Sequence, residues 1–155
     1  MKIIIAPAKK MKRDLDSFSV KSKPQFLTQT RILAKFLKSR TSQQLKELWQ
    51  ASDKVVAASQ KQLEELDLEH RLTPAIISFS GIQYQYMAPD LFTAPALNYI
   101  QDNLRILSGF YGSLRPFDGI SPYRLEMKTS MIGFKDYNLY HFWNQQIADD
   151  LFKND

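Results

Sequence analysis

Residues 107–127, LSGFYGSLRPFDGISPYRLEM, constrain the fold more than any other stretch of the chain. They hold three of its five glycines, Gly109, Gly112 and Gly119, and two of its seven prolines, Pro116 and Pro122. A run punctuated in this way has to turn. It also carries Arg115, Asp118, Arg124 and Glu126, with aromatic residues between them. Two readings stand side by side: a structural corner with an internal Arg–Glu pair, or a corner that faces an anion. In the second, SGFYG turns successive backbone N–H groups outward. Arg115 is aimed by the extended backbone that Pro116 imposes on it. Arg124, directly after Tyr123, can bind a phosphate bidentately. On a strand, Glu126 would share a face with Arg124, which makes it the candidate acid or base.

The charge distribution also points to an anion. Residues 1–50 hold twelve Lys and Arg against three acids, and the remainder nine against thirteen. A basic half beside an acidic half fits a surface that meets a polyanion, or a lysine-rich solvated surface. The chain has no cysteine, which excludes disulfides, thiolate metal sites and cysteine nucleophiles, and fits a cytosolic protein. MKIIIAPA is too short for the apolar core of a signal peptide, and no apolar run approaches membrane-spanning length, so no membrane partner is expected.

The 155 residues read as one domain of mixed α/β (α+β) class: a small mixed sheet flanked by several helices. KIIIA at 2–6 predicts a buried strand, and residues 8–23 a polar, basic loop. Apolar spacing predicts helices from Pro24 to about Ser39, from Thr41 or Ser42, from Ser52 or Asp53, and from Ala94 to Asn103. TPAIISFSG at 73–81 predicts a second strand. Residues 104–108 fit either a continued helix or a third strand. The tail predicts one amphipathic helix with Leu139, Phe142, Trp143, Ile147 and Leu151 on its apolar side, a candidate surface for homo-oligomer formation.

Three places could carry chemistry. In APAKKMKR, Lys9 and Lys10 follow a strand end, where α/β proteins often present ligand-contacting groups; a basic surface loop is the plainer reading. In FSGIQYQYM, Gly81 permits a turn or a close approach, and Tyr84 and Tyr86 can stack on a ring or sit half-buried in the core. The third is the block at 107–127. No phosphate-loop or dinucleotide fingerprint occurs, and no cofactor is expected. The two histidines, His70 and His141, lie far apart in sequence; His70 suits a solvated or helix-end position and His141 a packed one. No metal site is expected, and direct iron binding would need carboxylates such as Asp149 and Asp150.

APAKK, ISFSGIQYQ, LRILSGFYGSLRPFDGISPYRLEM and LYHFWNQQI, in this order and spacing, resemble the YaaA family of bacterial peroxide stress resistance proteins. The resemblance covers essentially the whole chain. Ala6 stands where the family usually has serine, and Ser80 where it often has lysine. The family's C-terminal blocks have no counterpart here, so the chain resembles an N-terminal portion of it. The resemblance implies a cytoplasmic protein that protects against peroxide by limiting intracellular iron and damage to DNA. It further implies a mixed α/β fold with a basic cleft and a helix-hairpin-helix-like element that binds DNA. In that light Lys9, Lys10, Gly109, Gly112, Arg115, Tyr123 and Arg124 are candidates for anion or nucleic-acid contact, and Gly81 and Tyr84 for a ligand-facing turn. SGFYG is a candidate hairpin only if residues 104–108 are not a strand. The expected role is DNA binding with no catalysis or only weak catalysis. The alternative is an enzyme acting on a phosphorylated or nucleobase-like ligand, with Lys9, Arg115, Arg124 and Glu126 converging on one site.

Overall fold

A computed structural model describes residues 2–87 and 92–153. Its centre is a three-stranded sheet of β1 (Ile3–Ile5), β3 (Leu104–Ser108) and β4 (Gly112–Leu114), in the order β1-β3-β4. β1 runs parallel to β3, with Ile3 opposite Leu104 and Ile5 opposite Ile106. β3 and β4 are antiparallel and joined by the turn at residues 109–111. A second, two-stranded ladder pairs β2 (Thr73–Pro74) with β5 (Gly119–Ile120). The architecture is thus mixed α/β, with small sheets among helices.

Several helices start on a side-chain cap, but the first does not: Phe26 precedes it and makes no side-chain capping bond. α1 (Leu27–Lys38) buries Leu33, Phe36 and Leu37. α2 (Ser42–Trp49) opens on a capping box: Thr41 Oγ1 accepts from the Gln44 N–H while the Gln44 side chain accepts from the Thr41 N–H. Ser52 caps α3 (Asp53–Glu64) in the simpler way, and α1, α2 and α3 pack together. α4 (Ala75–Ser78) and α5 (Ile82–Met87) are short. α6 (Ala94–Asn103), capped by Thr93, leads directly into β3.

Three expectations change. Residues 73–81 are not one strand: only Thr73 and Pro74 pair, and the chain then coils as α4, with the Phe79 N–H bonded to the Ala75 carbonyl. A short apolar run looks the same in a buried helical turn as in a strand. The tail is not one helix, because Asn144 adopts φ 49° and separates α7 (Leu139–Trp143) from α8 (Gln146–Lys153). β1 is not buried, since Ile3 and Ile4 are 42% and 50% exposed.

Residues 107–127 do not project as an exposed corner. Phe110, Tyr111, Leu114, Phe117 and Ile120 are fully buried, with Tyr123 and Leu125 nearly so, and they form the middle of the core. Burying a side chain such as Phe110 or Phe117 contributes about 2 kcal/mol. The glycines let this bulky chain fold back on itself. Gly112 sits at φ +82° with the rings of Phe26 and Trp143 3.0 Å from where a Cβ would be. Because residues 104–108 are a strand, SGFYG is the turn of a β-hairpin, and its assignment as the hairpin between two helices falls.

Candidate functional site

The loop after β1 is held from two sides. The Lys12 N–H bonds to the Ser78 carbonyl, and the Ser80 N–H to the Lys10 carbonyl. From α5, the Tyr84 hydroxyl donates to the Ala6 carbonyl at 2.6 Å. Tyr84 is buried, and burial raises its hydroxyl well above the ordinary tyrosine value. Gly81 packs beside it, with Ala8 Cβ 3.2 Å from the position its own Cβ would take. Gly81 and Tyr84 therefore brace the loop that carries Lys9. Lys10 is exposed on the same loop.

The segment 123–126 passes beside the C-terminal ends of β1 and β3 and then turns at Met127 and Lys128, where the Thr129 N–H bonds to the Glu126 carbonyl. Tyr123 and Leu125 turn inward, while Arg124 and Glu126 are half-buried on the other side. Gly109 makes this close passage possible, because a Cβ there would lie 2.8 Å from the Met127 nitrogen. The Trp49 indole N–H donates to the Arg124 carbonyl at 2.8 Å and fixes the other flank. Tyr123 shares a 2.6 Å hydrogen bond with Ser108 Oγ and stacks on Phe110 at 5.0 Å between centroids. Burial holds its hydroxyl above the ordinary tyrosine value, in its neutral form. Tyr123 is thus an anchor of the segment.

The result is a charged ridge between two hollows. Lys9 Nζ lies 3.5 Å from Glu126 Oε1, and Lys128 Nζ 3.7 Å from Glu126 Oε2. Lys9, Arg124, Glu126 and Lys128 border both hollows. One, of about 580 Å³, is mainly apolar, with Ile4, Leu107, Met127 and Tyr140 in its lining. The other, of about 360 Å³, includes Trp49, Gln50, Thr129 and Ser130. Two lysines pair with one carboxylate along the ridge, Arg124 lines the same hollows, and both lysines are largely solvent-exposed. Such a ridge can exchange its internal ion pairs for phosphate oxygens, because exposed pairs of this kind are individually weak.

Arg115 lies elsewhere. Its backbone N–H donates to Asp118 Oδ2 at 2.8 Å, its Nε to Oδ1 at 3.1 Å, and an Nη to the Lys23 carbonyl at 2.7 Å. Asp118 is fully buried and also accepts from the Ser22 hydroxyl. Burial raises its carboxyl's affinity for a proton, against the opposing effects of Ser22 and Arg115. The motif RPFD is a tight turn closed from the Asp118 N–H to the Arg115 carbonyl. Arg115 borders a separate polar hollow with Lys2, Gln101 and Arg105. Of the four residues expected to converge, Lys9, Arg124 and Glu126 come together and Arg115 does not.

The turn N–H groups of Phe110 and Tyr111 are turned inward, onto Ser108 Oγ at 3.2 and 2.9 Å. His141 is exposed rather than packed, 2.6 Å from Asp136 and stacked on Tyr137. His70 is exposed beside Asp67. Among the described residues, no three His, Cys, Asp or Glu side chains gather where a metal ion could sit, and no helix is long and apolar enough to cross a membrane. Sequence reasoning missed Lys128 and Trp49. Lys128 is one more lysine by sequence, and Trp49 reads as a helix core residue.

A family model described as peroxide stress protein YaaA matches residues 1–155. A UPF0246 protein of Lactobacillus acidophilus is 72% identical over 155 residues, which is all of this chain and 61% of the relative. A UPF0246 protein of Lactobacillus helveticus is 71% identical over the same span, again 61% of its length. One from Lactiplantibacillus plantarum is 56% identical over 97% of this chain and 61% of its own length. The chain spans about three-fifths of the length of these relatives.

Proposed function

The chain belongs to the peroxide stress protein YaaA family, and from that membership we propose that it acts in the peroxide response by binding DNA along the ridge of Lys9, Arg124 and Lys128, limiting iron-dependent oxidative damage to the DNA it holds. The observation that carries this reading is the placement of two exposed lysines on one carboxylate, with Arg124 lining the same hollows, on a braced support. Lys9 and Lys128 supply exposed point charges, and Arg124 a planar fork suited to phosphate. Glu126 holds the two ammonium groups in register until a phosphate displaces it from one of them. The hollow with Gln50, Thr129 and Ser130 offers side-chain amide and hydroxyl groups beside the ridge, of the kinds that contact backbone oxygens in nucleic-acid interfaces. Residues 1–50, with their excess of lysine and arginine, supply a longer-range field that draws a polyanion in.

Binding of this kind releases counterions. The logarithm of the affinity should fall with the logarithm of salt concentration, with a slope of about −0.9 for each phosphate neutralised on duplex DNA. Fluorescence anisotropy of a labelled duplex at several salt concentrations measures this slope. Replacing Lys9, Arg124 or Lys128 by glutamine should each reduce its magnitude by about one. An affinity that does not change with salt overturns the reading.

A further inference from the structure

The edge of the central sheet is closed on one side and open on the other. β4 is buried throughout its length, whereas β1 exposes two of its three isoleucines. The register locates the cause. Ile3 and Leu104 are partners and point to the same face of the sheet, yet Leu104 is 5% exposed and Ile3 42%. The face is covered and the edge beyond Ile3 is not. Ile4 points the other way, with Leu107, into the apolar hollow, and it is 50% exposed.

Protein edges are normally blunted by a proline, a charged side chain or a bulge within the strand. Ile3–Ile5 has none of these and consists of three consecutive β-branched residues, well suited to pairing. The hollow of about 580 Å³ beside it has Ile4, Leu107, Met127 and Tyr140 among its lining, room for an apolar side chain carried by a neighbouring strand. The Lactobacillus acidophilus relative, which matches all of this chain with 61% of its own length, has further polypeptide to place.

We propose that β1 is an interior strand of the complete family fold, and that its outer edge pairs with an extended segment from the part of the relatives' chain beyond the matched region. That segment adds a strand through main-chain hydrogen bonds to residues 3–5 and lowers apolar side chains into the hollow beside Ile4. The proposal is independent of DNA binding, and its test contains no nucleic acid.

The unmatched part of the Lactobacillus acidophilus relative is produced separately and mixed with this chain, and amide hydrogen exchange is followed. The expected result is an equimolar complex in which exchange at residues 3–5 slows by about tenfold or more. Ile4→Lys should weaken the complex, whereas Ile82→Lys, at a position 71% exposed, should not. If circular dichroism finds Ile4→Lys unfolded, Ile4→Ala takes its place, and the exchange pattern of the unaltered chain decides alone. Absence of a complex, protection elsewhere with residues 3–5 unchanged, or a homodimer that protects residues 3–5 without the added segment would each overturn the proposal.

Discussion

Tyr84 and Ala6 are 78 positions apart in the chain and 2.6 Å apart in space, the tyrosine hydroxyl donating to the alanine carbonyl at the point where β1 becomes the loop of Lys9. The bond couples a helix from the middle of the chain to the first residues after its first strand. Tyr84→Phe removes the donor and keeps the ring. The Ala6 carbonyl loses a partner, and stability should fall by about 1–2 kcal/mol in urea denaturation. DNA affinity should fall as well, because Lys9 is no longer held in place. Unchanged affinity in a destabilised variant would mean that the loop positions itself.

Gly109 permits the close passage of residues 125–127, and Gly109→Ala tests that role. The added methyl would lie 2.8 Å from the Met127 nitrogen and 2.9 Å from the Glu126 carbonyl carbon, both backbone atoms that cannot rotate away. Relief requires displacement of the segment, at a cost of about 1–3 kcal/mol. Thermal denaturation should show that loss, and DNA titration a weaker ridge.

Two arginines that look alike in the sequence should behave oppositely. Arg124→Gln should leave the melting temperature nearly unchanged and lower the salt dependence of DNA binding. Arg115→Gln should leave the salt dependence alone and destabilise the fold, because Asp118 is buried beneath it and keeps only Ser22 as a side-chain partner. About 2–3 kcal/mol is expected, below the full value for a broken buried pair because Arg115 is 31% exposed. Denaturation curves and salt titrations of the two variants separate these roles.

Asp14 gives a pH signature. The Ser17 hydroxyl first, then the Asp16 and Ser17 N–H groups, bond to its carboxylate and lower its pKa from 3.8 to about 2. The unfolded chain therefore binds the proton at higher pH than the folded one. The contribution is complete above about pH 4 and is lost as pH falls through about 2. The Asp14 carboxyl resonance should titrate near that value. Asp14→Ala should lose less stability than the unaltered chain across this window, and an equal loss would dissociate the turn from acid sensitivity.

The parts of the fold legible in the sequence are those whose signals are local. Thr41 or Ser42 marks the start of α2 and Ser52 or Asp53 that of α3, because a cap and the N–H it accepts from lie within four residues. β3 is undecidable from 104–108 alone, since what makes it a strand is pairing with β1 a hundred residues earlier. Residues 73–81 fail for the same reason: whether Ala75 coils or extends is decided by the Pro116 and Asp118 carbonyls it and Ile76 bond to. In the site, Lys9, Arg124 and Glu126 stand out because they flank prolines, glycines and a strand end. Arg115 stands out equally and lies elsewhere, because its partner Asp118 is buried three residues on. Residue type revealed the need for a special arrangement at 107–127, and the packing of Phe110, Tyr111 and Phe117 determined which way it faces.

The chain contains two tryptophans. Both are buried with the indole N–H on a main-chain oxygen, Trp49 on Arg124 of the ridge segment and Trp143 on Gly109, against which that segment packs. The intrinsic fluorescence of the native molecule is therefore a probe already installed on both flanks of the proposed binding surface. A change in emission on adding DNA, without any attached dye, would report strain at these two bonds, and single Trp→Phe variants would assign the signal to one flank or the other.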